Sequence, residues 1–100
     1  MVFDALKSRD CRKILELADD YHTANQLSEK SDIPRSTIYR KIDILTESGL
    51  LEESIKLRSD GRHTKTYKRK VEHIDIEITG EGINVYIGNS EDKEIVERSS

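Results

Sequence analysis

The sequence comprises 100 residues, 34% hydrophobic and 37% charged, with one cysteine and a formal net charge of −3. That length allows one modest core and excludes two independent ones, while a lone Cys11 excludes an internal disulfide or a cysteine-built zinc cluster. Apolar runs are too short for a membrane span, and Met1-Val2-Phe3-Asp4 lacks the basic and apolar blocks of a secretory leader, so a reducing cytoplasm is the expected compartment.

Residues 4–18 read as one amphipathic helix, with Leu6, Ile14, Leu17 and Ala18 on a shared stripe, Lys7, Arg9, Arg12 and Lys13 mostly outside it, and Asp4 as N-cap. The run Asp19-Asp20-Tyr21-His22 ends that period. Thr23, followed three residues later by Gln26, has the spacing of a capping box and predicts a short helix over Thr23 to Lys30. Ser31-Asp32 then supplies a polar turn. Pro34 suits the first turn of a third helix, where its missing amide costs nothing. Over residues 34–48, Ile38, Ile42 and Leu45 mark one buried stripe, and Gly49 stands where a left-handed residue commonly stops a helix.

After Gly49 the hydrophobic period changes from about 3.6 to 2. Leu51, Ile55 and Leu57 lie on one side of a predicted strand, Ser59-Asp60-Gly61-Arg62 carries turn chemistry, and Thr64 to Val71 returns as a second strand with Tyr67 and Val71. A second hairpin is predicted from Ile74, Ile76 and Ile78, through Gly80-Glu81-Gly82, to Ile83, Val85 and Ile87. Residues 89–100 are mostly polar and read as a frayed tail or a short helix begun by Ser90.

Charge is distributed unevenly along these elements. Residues 34–70 hold ten basic against five acidic side chains, whereas residues 71–100 hold two against eight. Lys56, Arg58, Arg62, Lys65, Lys68, Arg69 and Lys70 face the single acid Asp60, a local cluster suited to phosphate contact despite the negative total.

The stretch from Gln26 through Ile33-Pro34-Arg35-Ser36-Thr37-Ile38-Tyr39-Arg40-Lys41-Ile42 to Gly49-Leu50-Leu51 resembles the winged helix-turn-helix signature of ArsR-like and MarR-like regulators, particularly small archaeal ones. The resemblance covers about residues 5–70. It implies an α+β fold in which three helices precede a basic β-hairpin wing, here with an additional C-terminal hairpin. It also implies a recognition helix over 34–48, in which Arg35, Ser36, Thr37, Tyr39, Arg40 and Lys41 meet bases or phosphates of double-stranded DNA. The matching wing makes Arg58, Arg62, His63 and Lys65 contacts to the flanking backbone or minor groove. The chemistry agrees, since Arg40 can donate two hydrogen bonds to guanine O6 and N7 and hydroxyls or Lys41 suit phosphate.

Metal-sensing members of that family carry paired cysteines or clustered histidines, whereas His22, His63 and His73 here fall on different elements, so neither a metal nor another cofactor is expected. No glycine-rich phosphate loop or paired nucleophile and base is present, and the protein is not expected to be an enzyme. Cys11 reads as a small structural thiol. The DNA-binding unit is expected over residues 1–71, with residues 72–100 as a dimerisation element of the same compact domain. A homodimeric transcriptional regulator, most readily a repressor, is thus the leading expectation, with no effector class legible. The competing reading is a winged-helix protein-interaction module within a transcription or RNA-processing complex.

Overall fold

Val2 and Ala5 lie on one helical stripe, and extending that stripe would bury Arg9 and Arg12. The chain instead breaks at Ser8 and buries Cys11, Ile14, Leu15 and Ala18. The expected single helix is therefore two in the computed structural model, which describes residues 2–89 and 93–99. These are α1 (Val2–Lys7) and α2 (Arg9–Leu17). Ser8 is extended, at φ −78° and ψ 121°, and its hydroxyl accepts from the Cys11 amide at 3.2 Å. Serine, not Asp4, is thus the α2 N-cap, and Asp4 belongs to the first turn of α1.

Thr23 and Gln26 form the expected reciprocal capping box at the start of α3 (Ala24–Ser31). Asp32 then adopts a left-handed φ of 62°, and the Ser28 hydroxyl donates to Ile33 O at 2.5 Å, tightening the turn into α4 (Arg35–Glu47). Pro34 is the N-cap residue, one position before the first helical turn. Ile38, Ile42 and Leu45 are buried as their spacing requires. Gly49, at φ 81°, sends its amide to Thr46 O, and Leu50 sends its amide to Leu45 O, the paired bonds of a Schellman stop.

Leu50 and Leu51 enter the core and lead into β1 (Leu51–Leu57), which pairs antiparallel with β2 (His63–Arg69). The intervening turn closes with the Gly61 amide on Arg58 O at 3.0 Å, Gly61 standing at φ 84°. One contact was not legible beforehand: His22 forms an isolated antiparallel bridge with Tyr67. The Arg69 amide also donates to Ala18 O at 2.7 Å, and the Arg69 guanidinium to Leu15 O at 2.9 Å. These bonds fasten the base of the hairpin to the end of α2.

A separate three-stranded antiparallel sheet has the order β3-β4-β5, comprising β3 (His73–Thr79), β4 (Gly82–Gly88) and β5 (Lys93–Ser99). The second predicted hairpin is present, but residues 93–99 are neither frayed tail nor helix. They form a third strand with a bulge opposite Val85/Tyr86, where Ile95 pairs with Tyr86, Glu97 pairs with Val85, and Val96 between them is passed over by the register. Ser90, the expected start of a helix, lies outside the described residues.

The described chain is α+β, with four helices and two small antiparallel sheets. Val85 and Ile87 join the buried cluster formed by the helices, Leu50, Leu51 and Tyr67. The molecule measures 56 × 28 × 17 Å, with a radius of gyration of 14.9 Å against about 13 Å for a compact domain of this length. No helix among the described residues is long and apolar enough to cross a membrane.

Candidate nucleic-acid interface

With Ile38, Ile42 and Leu45 committed to the core, α4 turns Arg35, Ser36, Tyr39 and Arg40 to solvent. Thr37 and Lys41 are half-buried on the shoulder of the helix, so six residues grouped by sequence separate into four that stand out and two that lean inward. Basic and hydroxyl side chains occupy the N-terminal half of α4. Asp43 and Glu47 occupy its exposed C-terminal half, which makes the first two turns the part suited to a polyanion.

The hairpin divides its charges between two faces, because directly paired residues of an antiparallel ladder project to the same side. One face carries Glu53 opposite Tyr67, Ile55 opposite Lys65, and Leu57 opposite His63. The other carries Glu52 opposite Lys68, Ser54 opposite Thr66, and Lys56 opposite Thr64. Tyr67 shows which face looks toward α4. Its hydroxyl lies within electrostatic reach of Glu53 on the same face and of Tyr39 and Asp43 of that helix, and β1 itself packs against α4. Burial first, then these acidic and phenolic neighbours, raises its pKa above the ordinary 10.0.

His63 and Lys65 therefore share the α4-facing side, and Arg58 and Arg62 flank the exposed turn. Two of these bases have acidic neighbours: Lys65 Nζ is 3.6 Å from Glu53, and Arg58 is 3.6 Å from Asp60. Asp60 also accepts from the Arg62 amide at 3.0 Å, so it shapes the turn while offsetting part of its charge. Such exposed pairs are weak and open readily to a competing phosphate.

The other basic residues of the cluster are placed differently. Lys68 lies over the ring of Tyr21, 5.4 Å from its centroid, while the Tyr21 hydroxyl donates to Glu52 at 2.6 Å. That hydrogen bond first, then burial and the charges of Glu52 and Asp20, raises the Tyr21 pKa. Arg69 is spent on the Leu15 carbonyl. Lys56 is exposed on the face away from α4, beside a groove of 570 Å³ lined in part by Tyr21, Thr23, Gln26 and Thr66. Linear clustering thus overstates the basic surface around α4. The signal that corrects it, strand alternation, requires the register.

Two short helices joined by a tight left-handed turn, with the second exposing its N-terminal half, form the arrangement that places a helix in a DNA groove. A family model described as a helix-turn-helix domain matches residues 1–54. The chain belongs to this helix-turn-helix family. The matched segment runs from α1 through α4 into β1, leaving β2 and the C-terminal sheet outside it. No curated protein matches the chain. Within the helix-turn-helix unit Cys11 is fully buried on the inner face of α2, and among the described residues no group of three histidine, cysteine or acidic side chains is placed to hold a metal ion.

Proposed function

We propose that the chain is a winged helix-turn-helix regulator of the ArsR-like and MarR-like kind, which binds double-stranded DNA as a homodimer and acts in the cytoplasm as a repressor. In this reading α4 is the recognition helix. Arg35, Ser36, Tyr39 and Arg40 meet base edges and nearby phosphates, while Thr37 and Lys41 meet phosphates from the helix shoulder. The β1–β2 hairpin is the wing, with Arg58, Arg62, His63 and Lys65 on the flanking backbone. Residues 1–71 form the DNA-binding unit, and residues 72–100 form a dimerisation element built onto the same core. The protein is a binding protein without an enzymatic role.

The observation that carries this reading is the shared orientation of α4 and the hairpin. β1 packs against α4, and the Tyr67 face of the hairpin lies within electrostatic reach of Tyr39, so the exposed start of the helix and the face bearing His63 and Lys65 border one surface. A second copy is favoured because Ile76 and Ile78 of β3 are 51% and 78% exposed in a small domain with little apolar area to spare. Two α4 helices related by a two-fold axis would enter successive major grooves about 34 Å apart.

Gel-shift titration on genomic fragments across a salt series tests the function. Affinity is expected to fall steeply with salt, since each neutralised phosphate contributes about −0.9 to the slope of log K against log salt. Negligible binding at all salt concentrations would instead favour a protein-interaction module.

A further inference from the structure

Two exposed apolar pairs lie on this molecule in opposite electrostatic settings. On β3, Ile76 and Ile78 alternate with Asp75 and Glu77, and Glu81 sits in the following turn. On β1, Ile55 and Leu57 are 63% and 65% exposed, although Leu51 on the same face is buried. Within residues 55–66, four basic side chains, Lys56, Arg58, Arg62 and Lys65, stand against Asp60, with His63 beside them.

The first setting repels a polyanion, whereas the second attracts one. Ile55 and Leu57 also share the hairpin face of Tyr67, from register positions opposite Lys65 and His63, and they belong to β1, which packs against α4. A ribbon meeting phosphates alone has no use for two large aliphatic side chains in water. Aliphatic side chains do have a use in the minor groove. There, leucine and isoleucine pack on sugar walls or wedge between base steps, and the widened, bent duplex then wraps more of the protein.

We propose that Ile55 and Leu57 are a DNA-deforming wedge: the hairpin presses them into the minor groove beside the segment read by α4, with Arg58, Arg62 and Lys65 on the bordering phosphates. This rests on the DNA-binding reading above and adds to it. The pair makes binding depend on how easily the flanking base steps open, so flexible pyrimidine–purine steps at that distance are preferred without any hydrogen bond to a base.

The test uses the full chain, the double variant Ile55→Ser/Leu57→Ser and the conservative variant Ile55→Val/Leu57→Met. The probe is a duplex selected by the wild-type chain from a randomised pool, placed at permuted positions in fragments of equal length. Because both side chains are exposed, the serine variant should unfold thermally like the wild type. The wild-type complex is expected to show a bend within the range of about 20–90° seen for wedge insertion. The serine variant should lose most of the bend and at least tenfold in affinity, with the salt slope unchanged because no charge is removed. The conservative variant should keep both bend and affinity.

Equal bend and affinity for the wild type and the serine variant would overturn the wedge while leaving DNA binding intact. A serine variant that retains the bend but loses self-association in sedimentation would reassign the pair to a subunit contact. A wild-type chain that shifts no duplex would remove the DNA reading itself, and the wedge with it.

Discussion

His22 and Tyr67 exchange both of their backbone hydrogen bonds, the His22 amide reaching Tyr67 O at 3.0 Å and the Tyr67 amide reaching His22 O at 2.8 Å. This one-residue bridge sets the angle of the hairpin against the helices. His22→Pro removes one donor and, with the ring, disfavours the extended pairing. Hydrogen exchange should then show loss of protection across residues 63–69, while Ile42 and Leu45 of α4 remain protected. Uniform loss in both regions would mean that the bridge holds the whole fold rather than the hairpin.

Gly49 ends α4 and touches the C-terminal sheet. A Cβ there would meet Ile87 Cδ1 at 3.8 Å, an ordinary contact, so the left-handed φ of 81° dominates the effect of substitution. Gly49→Ala should therefore cost about 1–2 kcal/mol. In a domain of this size each kcal/mol lowers Tm by about 4–8 °C. Calorimetry measures the shift, and an unchanged Tm would show that the turn relaxes to another conformation.

The helix-turn-helix core was legible because its cues are local: the Thr23/Gln26 box, the Ile38, Ile42 and Leu45 stripe, and the Gly49 stop each lie within one or two helical turns. The break at Ser8 was not, since serine is tolerated within helices. The phase change appears only when Val2 and Ala5 are weighed against Cys11 and Ile14. Alternation at Ile55 and Leu57 identified a strand but not whether anything covers it, and in this chain nothing does among the described residues. β5 was hidden because Ile95 and Val96 are adjacent in the sequence and break the alternation of a strand, which only the bulge accommodates. At the candidate interface the exposed start of α4 follows from helical period alone. The division of the basic cluster does not, because Lys56 and Lys65 part company only once β1 and β2 are in register.

Alkaline stability should report on Tyr67, whose pKa is raised by burial and by Glu53, Tyr39 and Asp43. A raised folded-state pKa favours the protonated phenol, so its contribution is full below the unfolded value of 10.0 and is lost as pH rises through the folded value. Chemical denaturation of the wild type should show a decline in stability above pH 10 that Tyr67→Phe lessens. Identical alkaline slopes for both proteins would show that Tyr67 titrates as it does in the unfolded chain.

Ile76 and Ile78 offer a direct test of self-association. In the sheet register they stand opposite Val85 and Ile83 and so share one apolar face with them, which is buried in the core at Val85 and exposed at Ile76 and Ile78 toward the turn. Ile76→Ser/Ile78→Ser is expected to shift sedimentation equilibrium toward the monomer and to weaken binding to a two-half-site duplex more than to a single half-site. A variant that sediments like the wild type would place the dimer contact elsewhere.

Arg40 and Arg62 should fail in different ways on DNA, because one stands on the exposed start of α4 and the other at the hairpin turn. A guanidinium in the major groove can hold guanine O6 and N7 together, so Arg40→Ala is expected to cost about 1–3 kcal/mol on a selected site and little on random duplex, relaxing the preference at one base pair. Arg62→Ala removes a phosphate contact. It should weaken all duplexes alike and reduce the salt slope by about 0.9. Competition titrations with selected and random duplexes at several salt concentrations separate the two effects. Equal, sequence-independent losses for both variants would reduce α4 to another backbone contact, and the base-reading role would then pass to residues other than Arg40.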